Sequence, residues 1–132
     1  MARVDIAFFP DFKSTDTLLI DGDREGIRLL AEVFRTLQRG SAPVDLQELP
    51  FASAHHNIRI TARRSERDDG ASFHGVDVIW QRSGEGWLEA AEKLDALATV
   101  AAGHQYLDAL HDRVTVLAST GEYGETWWAQ HG

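Results

Sequence analysis

The sequence predicts an α/β (α+β) two-layer sandwich, in which a mainly antiparallel sheet of five to seven strands carries two helices on one face. Three observations lead to this prediction. Two long segments have apolar residues at helical spacing, several short segments have the composition or the alternation of strands, and each helical segment follows two strand segments. The 132 residues correspond to a single domain, 1–132.

The first strand-strand-helix unit occupies the N-terminal third of the chain. Residues 3–9 and 17–21 are short runs rich in β-branched and aromatic residues, which predict two strands. A helix follows, with Asp23 as a suitable N-cap and Gly40 after its last apolar residue. One face of this predicted helix is apolar and consists of Ile27, Leu30, Val33, Phe34 and Leu37.

The second unit has the same order of elements. Apolar and polar residues alternate through residues 58–63 and 76–80, which predicts two half-buried strands. The helix after them can begin at Ser83 as N-cap and end at Gly103. Its apolar stripe consists of Trp87, Ala91, Leu94 and Ala98.

The two helical segments correspond at an offset of 60 residues, since "DREGIRLLAEVFRTL" matches "SGEGWLEAAEKLDAL" position by position. Gly26 matches Gly86, and each is preceded by a glutamate and followed by a large apolar residue. We therefore predict a pseudo-repeated strand-strand-helix unit. The chain divides into pseudo-repeats of about 3–40 and 57–103, a C-terminal hairpin 104–119 and a tail 120–132.

Composition narrows the possible partners. Thirteen basic residues against 21 acidic ones give a net charge of −8, which disfavours nucleic acid and anionic membranes and suits a basic partner. The absence of cysteine excludes disulfides, thiolate nucleophiles and cysteine-ligated zinc. No segment has the ~20 apolar residues of a membrane span, and the first residues have no signal-peptide pattern, so we expect a cytoplasmic protein.

The stretch "GHQYLD" carries the strongest candidate chemistry. In a strand, His104, Tyr106 and Asp108 share one face. They could form a contact or solvated surface of the sheet, or His104, Asp108 and His111 could hold a metal ion or act as a general base. The first interpretation is favoured, because the sequence shows neither a nucleophile nor a substrate pocket beside them. We predict no catalytic residue and no cofactor.

The tail contains a second group of candidate binding residues. Tyr123, Trp127 and Trp128 lie close to the end of the sequence, where aromatic residues are uncommon. Either one tryptophan folds back and seals the sheet, or these rings are anchors for a partner protein. The sequence leaves both interpretations open.

Several segments together resemble a group of small bacterial proteins that are uncharacterised or assigned as immunity proteins of polymorphic toxin systems. The resemblance rests on "DGDREGIRLLAEVF", on "RSGEGWLEAAEKLDAL" after Trp80, and on "GHQYLD" followed by "VTVLASTGEY", so it extends from about Asp16 to Tyr123. It implies a cytoplasmic protein that neutralises a toxin by direct binding. It implies no catalytic residues, only shared motif positions at His104, Gln105, Tyr106, Leu107, Asp108, Glu122 and Tyr123.

The functional prediction is therefore a non-enzymatic protein-binding module, with a cognate protein toxin as the expected partner. The predicted binding residues are His104, Tyr106, Asp108, Tyr123, Trp127 and Trp128. Two alternatives stay open: a metal-dependent or small-ligand-binding, enzyme-like module that uses His104, Asp108 and His111, and a structural homodimer.

Overall fold

The computed structural model describes residues 2–12, 14–109 and 113–132 of the chain. Within these ranges the fold is α+β, with three helices and nine strands. The strands are β1 (Val4–Phe12), β2 (Thr15–Gly22), β3 (Val44–Asp45), β4 (Ala52–Ala54), β5 (Arg59–Arg64), β6 (Gly70–His74), β7 (Asp77–Arg82), β8 (Gly103–Asp108) and β9 (Thr115–Thr120). The helices are α1 (Arg24–Gln38), α2 (Gly84–Leu97) and α3 (Glu125–His131), and Leu46–Glu48 form one 3₁₀ turn.

The strands form two mixed sheets. The five-stranded sheet has the order β4-β1-β2-β9-β8, and the four-stranded sheet has the order β3-β5-β7-β6. Each sheet contains a parallel pair of interior strands, β2 with β9 and β5 with β7, and the short edge strand β4 is parallel to β1. The hairpins β1–β2, β6–β7 and β8–β9 are antiparallel.

This arrangement differs in part from the predicted one. The combination of helices and β-strands is confirmed, but two mixed sheets replace the single, mainly antiparallel sheet, and the third helix, α3, was not predicted. The physical reason is the pairing of distant strands. β9, which follows α2, joins β2 of the N-terminal hairpin, and β5, which follows α1, joins β7 of the hairpin before α2. Strand alternation shows which face is buried but not which strand is the neighbour.

The hairpins before the two long helices differ in their boundaries from the predicted strand-strand-helix units. An antiparallel hairpin precedes each long helix, β1–β2 before α1 and β6–β7 before α2. The strand at residues 58–63, predicted as the start of the second unit, is β5, and it pairs with β3 and β7 rather than forming the hairpin before α2. The other strand of that hairpin is β6, which was not predicted.

Both long helices begin in the same way. Asp23 accepts a hydrogen bond from the Gly26 N–H at 2.7 Å, and Ser83 accepts one from the Gly86 N–H at 3.0 Å. A Cβ atom on Gly26 would collide with the Arg3 carbonyl oxygen, and one on Gly86 would collide with the Asp68 carboxylate. The shared glycine thus lets the first turn of each helix approach the segment beside it closely.

One apolar core joins the inner faces of both sheets and the two long helices, which pack against each other. Its centre is aromatic. Phe34 of α1 lies 5.3 Å from the Trp80 ring and 4.9 Å from the Trp87 ring, and all three side chains are fully buried. Among the described residues, no helix is long and apolar enough to span a membrane.

The outer face of the five-stranded sheet has its own small apolar cluster, which α3 covers. Trp128 packs there against Ala7 of β1, Leu19 of β2 and Leu117 of β9. β2 is therefore buried on both faces, with Leu18 and Ile20 in the main core and Leu19 under α3. This explains why residues 17–21 form a nearly continuous apolar run rather than an alternating one.

Candidate binding surface

A row of polar side chains crosses the outer face of the five-stranded sheet. Register places one residue of each strand on the same line, and we call this line the polar row. From β4 to β8 it consists of Ser53, Asp5, Asp21, Ser119 and His104. Because residues paired directly across neighbouring strands point to the same side, all five belong to one face of the sheet.

Asp21 is the centre of the row and is fully buried. Its carboxylate accepts a hydrogen bond from the Ser119 hydroxyl at 2.9 Å and one from the Trp128 indole N–H at 2.9 Å. The Arg3 guanidinium lies 3.5 Å away. Burial raises the pKa of Asp21 above the usual range, and the two hydrogen bonds and Arg3 partly oppose this rise.

On the β4 side of Asp21, the row continues into an ion-pair network. Asp5 contacts the Arg3 guanidinium and the His55 imidazole, whose Nε2 lies 2.9 Å from Asp5 Oδ1. The His55 ring also stacks on the Trp128 ring at a centroid distance of 4.7 Å. His55 therefore joins the polar row to the helix that covers it.

On the β8 side, the row opens to solvent. His104 Nδ1 lies 3.1 Å from the Glu122 carboxylate, and the two side chains remain 47% and 33% exposed. Tyr106, two residues further along β8, is 48% exposed, and its ring lies 5.9 Å from the His104 ring in an edge-to-face arrangement. We call His104, Tyr106 and Glu122 the β8 surface.

The prediction that Asp108 shares a face with His104 and Tyr106 is wrong. A register shift between Tyr106 and Asp108 inserts Leu107 as a bulge, which turns Asp108 toward the interior. There its carboxylate accepts a hydrogen bond from the Trp80 indole N–H at 2.5 Å and lies 3.6 Å from Arg82 Nε. Burial raises the pKa of Asp108, while Arg82 and the Trp80 hydrogen bond oppose the rise.

This geometry separates the residues of the metal alternative. His104 and Asp108 point to opposite faces of the sheet, and His111 lies outside the described residues. Within the described ranges, no group of three histidine or carboxylate side chains has an arrangement that could hold a metal ion.

The tail residues have different roles. Trp128 is only 7% exposed and seals the outer face of the sheet, which is the first of the two predicted possibilities. Trp127 and Tyr123 are half-buried, and their rings lie 4.6 Å apart at the border of the small apolar cluster. Their neighbours in this cluster are Phe9 and Phe12 of β1.

This face also contains Asp21, Ser119 and His55, which were not among the predicted binding residues. Asp21 is the last residue of the predicted strand 17–21, where strand alternation places it on the same face as Leu19. The Ser119 hydroxyl reaches Asp21 because β2 pairs with β9, although the two residues are 98 positions apart in the chain. Sequence periodicity contains no signal for such a pairing.

The arrangement has a closed part and an open part. Asp21 is sealed beneath Trp128, so its carboxylate fixes α3 to the sheet instead of meeting a ligand. The β8 surface offers a phenol, an imidazole and a carboxylate to solvent, a combination that can accept and donate hydrogen bonds across an interface.

No protein-family model, curated protein or solved structure matches this chain.

Proposed function

We propose that the protein is a non-enzymatic binding module that neutralises a cognate protein toxin in the bacterial cytoplasm, as immunity proteins do. The observation that carries the proposal is the half-exposed Tyr106 beside the His104–Glu122 pair on an open part of the sheet. Tyrosine is among the residues that most often dominate binding energy at protein interfaces. The resemblance of "GHQYLD" and "GEY" to immunity-like proteins points to the same segment.

Charge supports a basic partner. The chain has a net charge of −8, and the carboxylate of Glu122 lies on the β8 surface. Acidic complementarity speeds the association with a basic protein and disfavours partners of the same sign. The proposed surface is smaller than the one predicted from sequence, because Asp108 and Trp128 are internal and Tyr123 and Trp127 are half-buried.

The first experiment is a pull-down with the tagged protein. If the protein retains the product of an adjacent gene, titration calorimetry then measures the affinity of this complex. Tyr106→Ala should weaken the complex about tenfold or more, which corresponds to about 1.4 kcal/mol. Val76→Ala is the matched control, because Val76 is 46% exposed but lies in the turn between β6 and β7. It should leave the affinity within about twofold.

Two outcomes contradict the proposal in different ways. If no product of the adjacent genes binds, the toxin-neutralising function is wrong. If a product binds but Tyr106→Ala and Val76→Ala behave alike, the function stands and the β8 surface is wrong. Glu122→Gln adds a kinetic readout, since loss of this charge should slow association at low salt and have little effect at high salt.

A further inference from the structure

β8 is the longest open edge among the described strands. It has six residues and pairs with β9 on one side, and no described strand pairs with its other side. The edge strands β3 and β4 have only two and three residues. The remaining edge strand, β6, has a bridge from Ala71 to Val114 beyond its edge. An open edge presents unpaired N–H and C=O groups to which another strand can bind.

One side-chain contact identifies which peptide groups point outward. Lys93 of α2 donates a hydrogen bond from Nζ to the Tyr106 carbonyl at 2.9 Å, so this carbonyl points away from β9. In an antiparallel ladder, both peptide groups of a residue point to the same side, and the side alternates along the strand. The N–H of Tyr106 and both peptide groups of His104 are therefore directed to the open edge.

Protection of this edge is confined to one end. Lysine side chains and bulges are devices that prevent pairing with foreign strands. Here the bulge at Leu107 and the contact from Lys93 both lie at the C-terminal end of β8, so among the described residues neither device reaches residues 103–105. Lys93 also lies 3.4 Å from Glu89, so its ammonium keeps an ionic partner when another donor replaces it at the Tyr106 carbonyl.

Acidic groups flank the edge on both faces of the sheet. Glu122 contacts His104 on the outer face, and Glu89 contacts Lys93 and Arg82 on the α2 side. An added strand directs alternate side chains to these two faces, so basic residues at alternate positions meet a carboxylate whichever of the two faces they occupy. Tyr106 provides an aromatic contact for an apolar residue of the same strand.

We propose that β8 binds an extended, basic segment of the partner protein as an added strand at the edge of the five-stranded sheet. This inference rests on the proposed function and specifies its binding mode. Main-chain hydrogen bonds to His104 and Tyr106 provide affinity, and the flanking carboxylates select basic side chains, as in other cases of strand addition.

The test uses a blocked hexapeptide of alternating arginine and valine as the probe, titrated into the full-length protein and followed by NMR. Binding should shift the amide signals of His104 and Tyr106 and slow their hydrogen exchange about tenfold or more. The same peptide with N-methyl groups on the edge that faces β8 cannot pair and should lose binding. A hexapeptide of alternating glutamate and valine should also fail to bind.

A pair of variants separates the backbone from the side chain. His104→Pro removes the outward N–H and should weaken peptide binding about tenfold, whereas His104→Ala keeps this N–H and should stay within about threefold. Proline is tolerated at edge strands, and circular dichroism checks that the fold is retained. The N-methylated peptide gives the same test on the unmodified protein.

Three results would overturn strand addition: equal binding of the N-methylated peptide, protection of amides elsewhere, or a homodimer in sedimentation that His104→Pro dissociates. The last result would assign the edge to a second copy of the chain. If Tyr106→Ala weakens the toxin complex but His104→Pro does not, the binding function stands and strand addition is rejected. Failure to bind any product of the adjacent genes rejects the function alone.

Discussion

Replacement of Trp128 by phenylalanine tests whether Asp21 holds α3 on the sheet. The change removes the indole N–H that lies 2.9 Å from Asp21 Oδ2 and leaves a fully buried carboxylate oxygen without that donor. Loss of a hydrogen bond to a charged group costs about 1.5–3 kcal/mol, and the smaller ring loses about 1 kcal/mol of apolar burial. We therefore expect Trp128→Phe to lower the free energy of unfolding by about 2–4 kcal/mol.

The assay is urea unfolding followed by far-ultraviolet circular dichroism, because the substitution alters the tryptophan fluorescence itself. Trp127→Phe is the matched control in the same helix, since Trp127 is half-buried and its replacement leaves the bond from Trp128 to Asp21 in place. It should cost less than about 1 kcal/mol. A Trp128→Phe variant no less stable than Trp127→Phe would refute the role assigned to this hydrogen bond.

Three further predictions concern the interior and one turn. Gly121 has φ +70° and a Cβ atom would collide with the Ala101 carbonyl, so Gly121→Ala should cost about 1–3 kcal/mol in urea unfolding, and an unchanged midpoint would contradict this. Arg82→Met leaves the buried Asp108 without its cation and should destabilise the protein by about 3–5 kcal/mol in urea unfolding. The double variant Arg82→Met/Asp108→Leu should recover part of this loss. A double variant no more stable than Arg82→Met would contradict the stabilising role of the Arg82–Asp108 ion pair. Because burial raises the pKa of Asp21, its contribution to stability is complete below the ordinary pKa of 3.8 and is lost as the pH rises through the folded-state pKa. Asp21→Asn, which can still accept from Trp128, should therefore gain stability relative to the wild type over this rise, and parallel pH profiles would refute the sign.

The long helices were predictable because local chemistry determines them. Asp23 and Ser83 cap α1 and α2 as their sequence positions indicate, and the predicted stripes are largely the buried faces. The match of Gly26 with Gly86 also has a structural cause, since each glycine lies where a side chain would collide with a neighbouring segment. Each of these features depends on residues within a few positions of one another.

The sheets and the polar row were not predictable in the same way. Alternation in "HQYLD" places Asp108 beside His104, but the bulge at Leu107 reverses the face for the last residue. A bulge forms where pairing with another strand requires it, and the partner strand β9 begins only at Thr115. Similarly, β6 has too weak an alternation to indicate a strand until β7 pairs with it.

The exchange of strands between the two halves also determines how the β8 surface is held. β8 and β9 follow α2, yet β9 pairs with β2 of the N-terminal half, from Thr17↔Thr115 to Asp21↔Ser119. The position of His104 therefore depends on contacts made by residues more than 80 positions earlier in the chain. A fragment that contains only the second half would keep the sequence of β8 but lose the parallel partner of β9 and the acceptor of Trp128. The binding surface that we propose is consequently a property of the complete sheet and not of the "GHQYLD" motif alone.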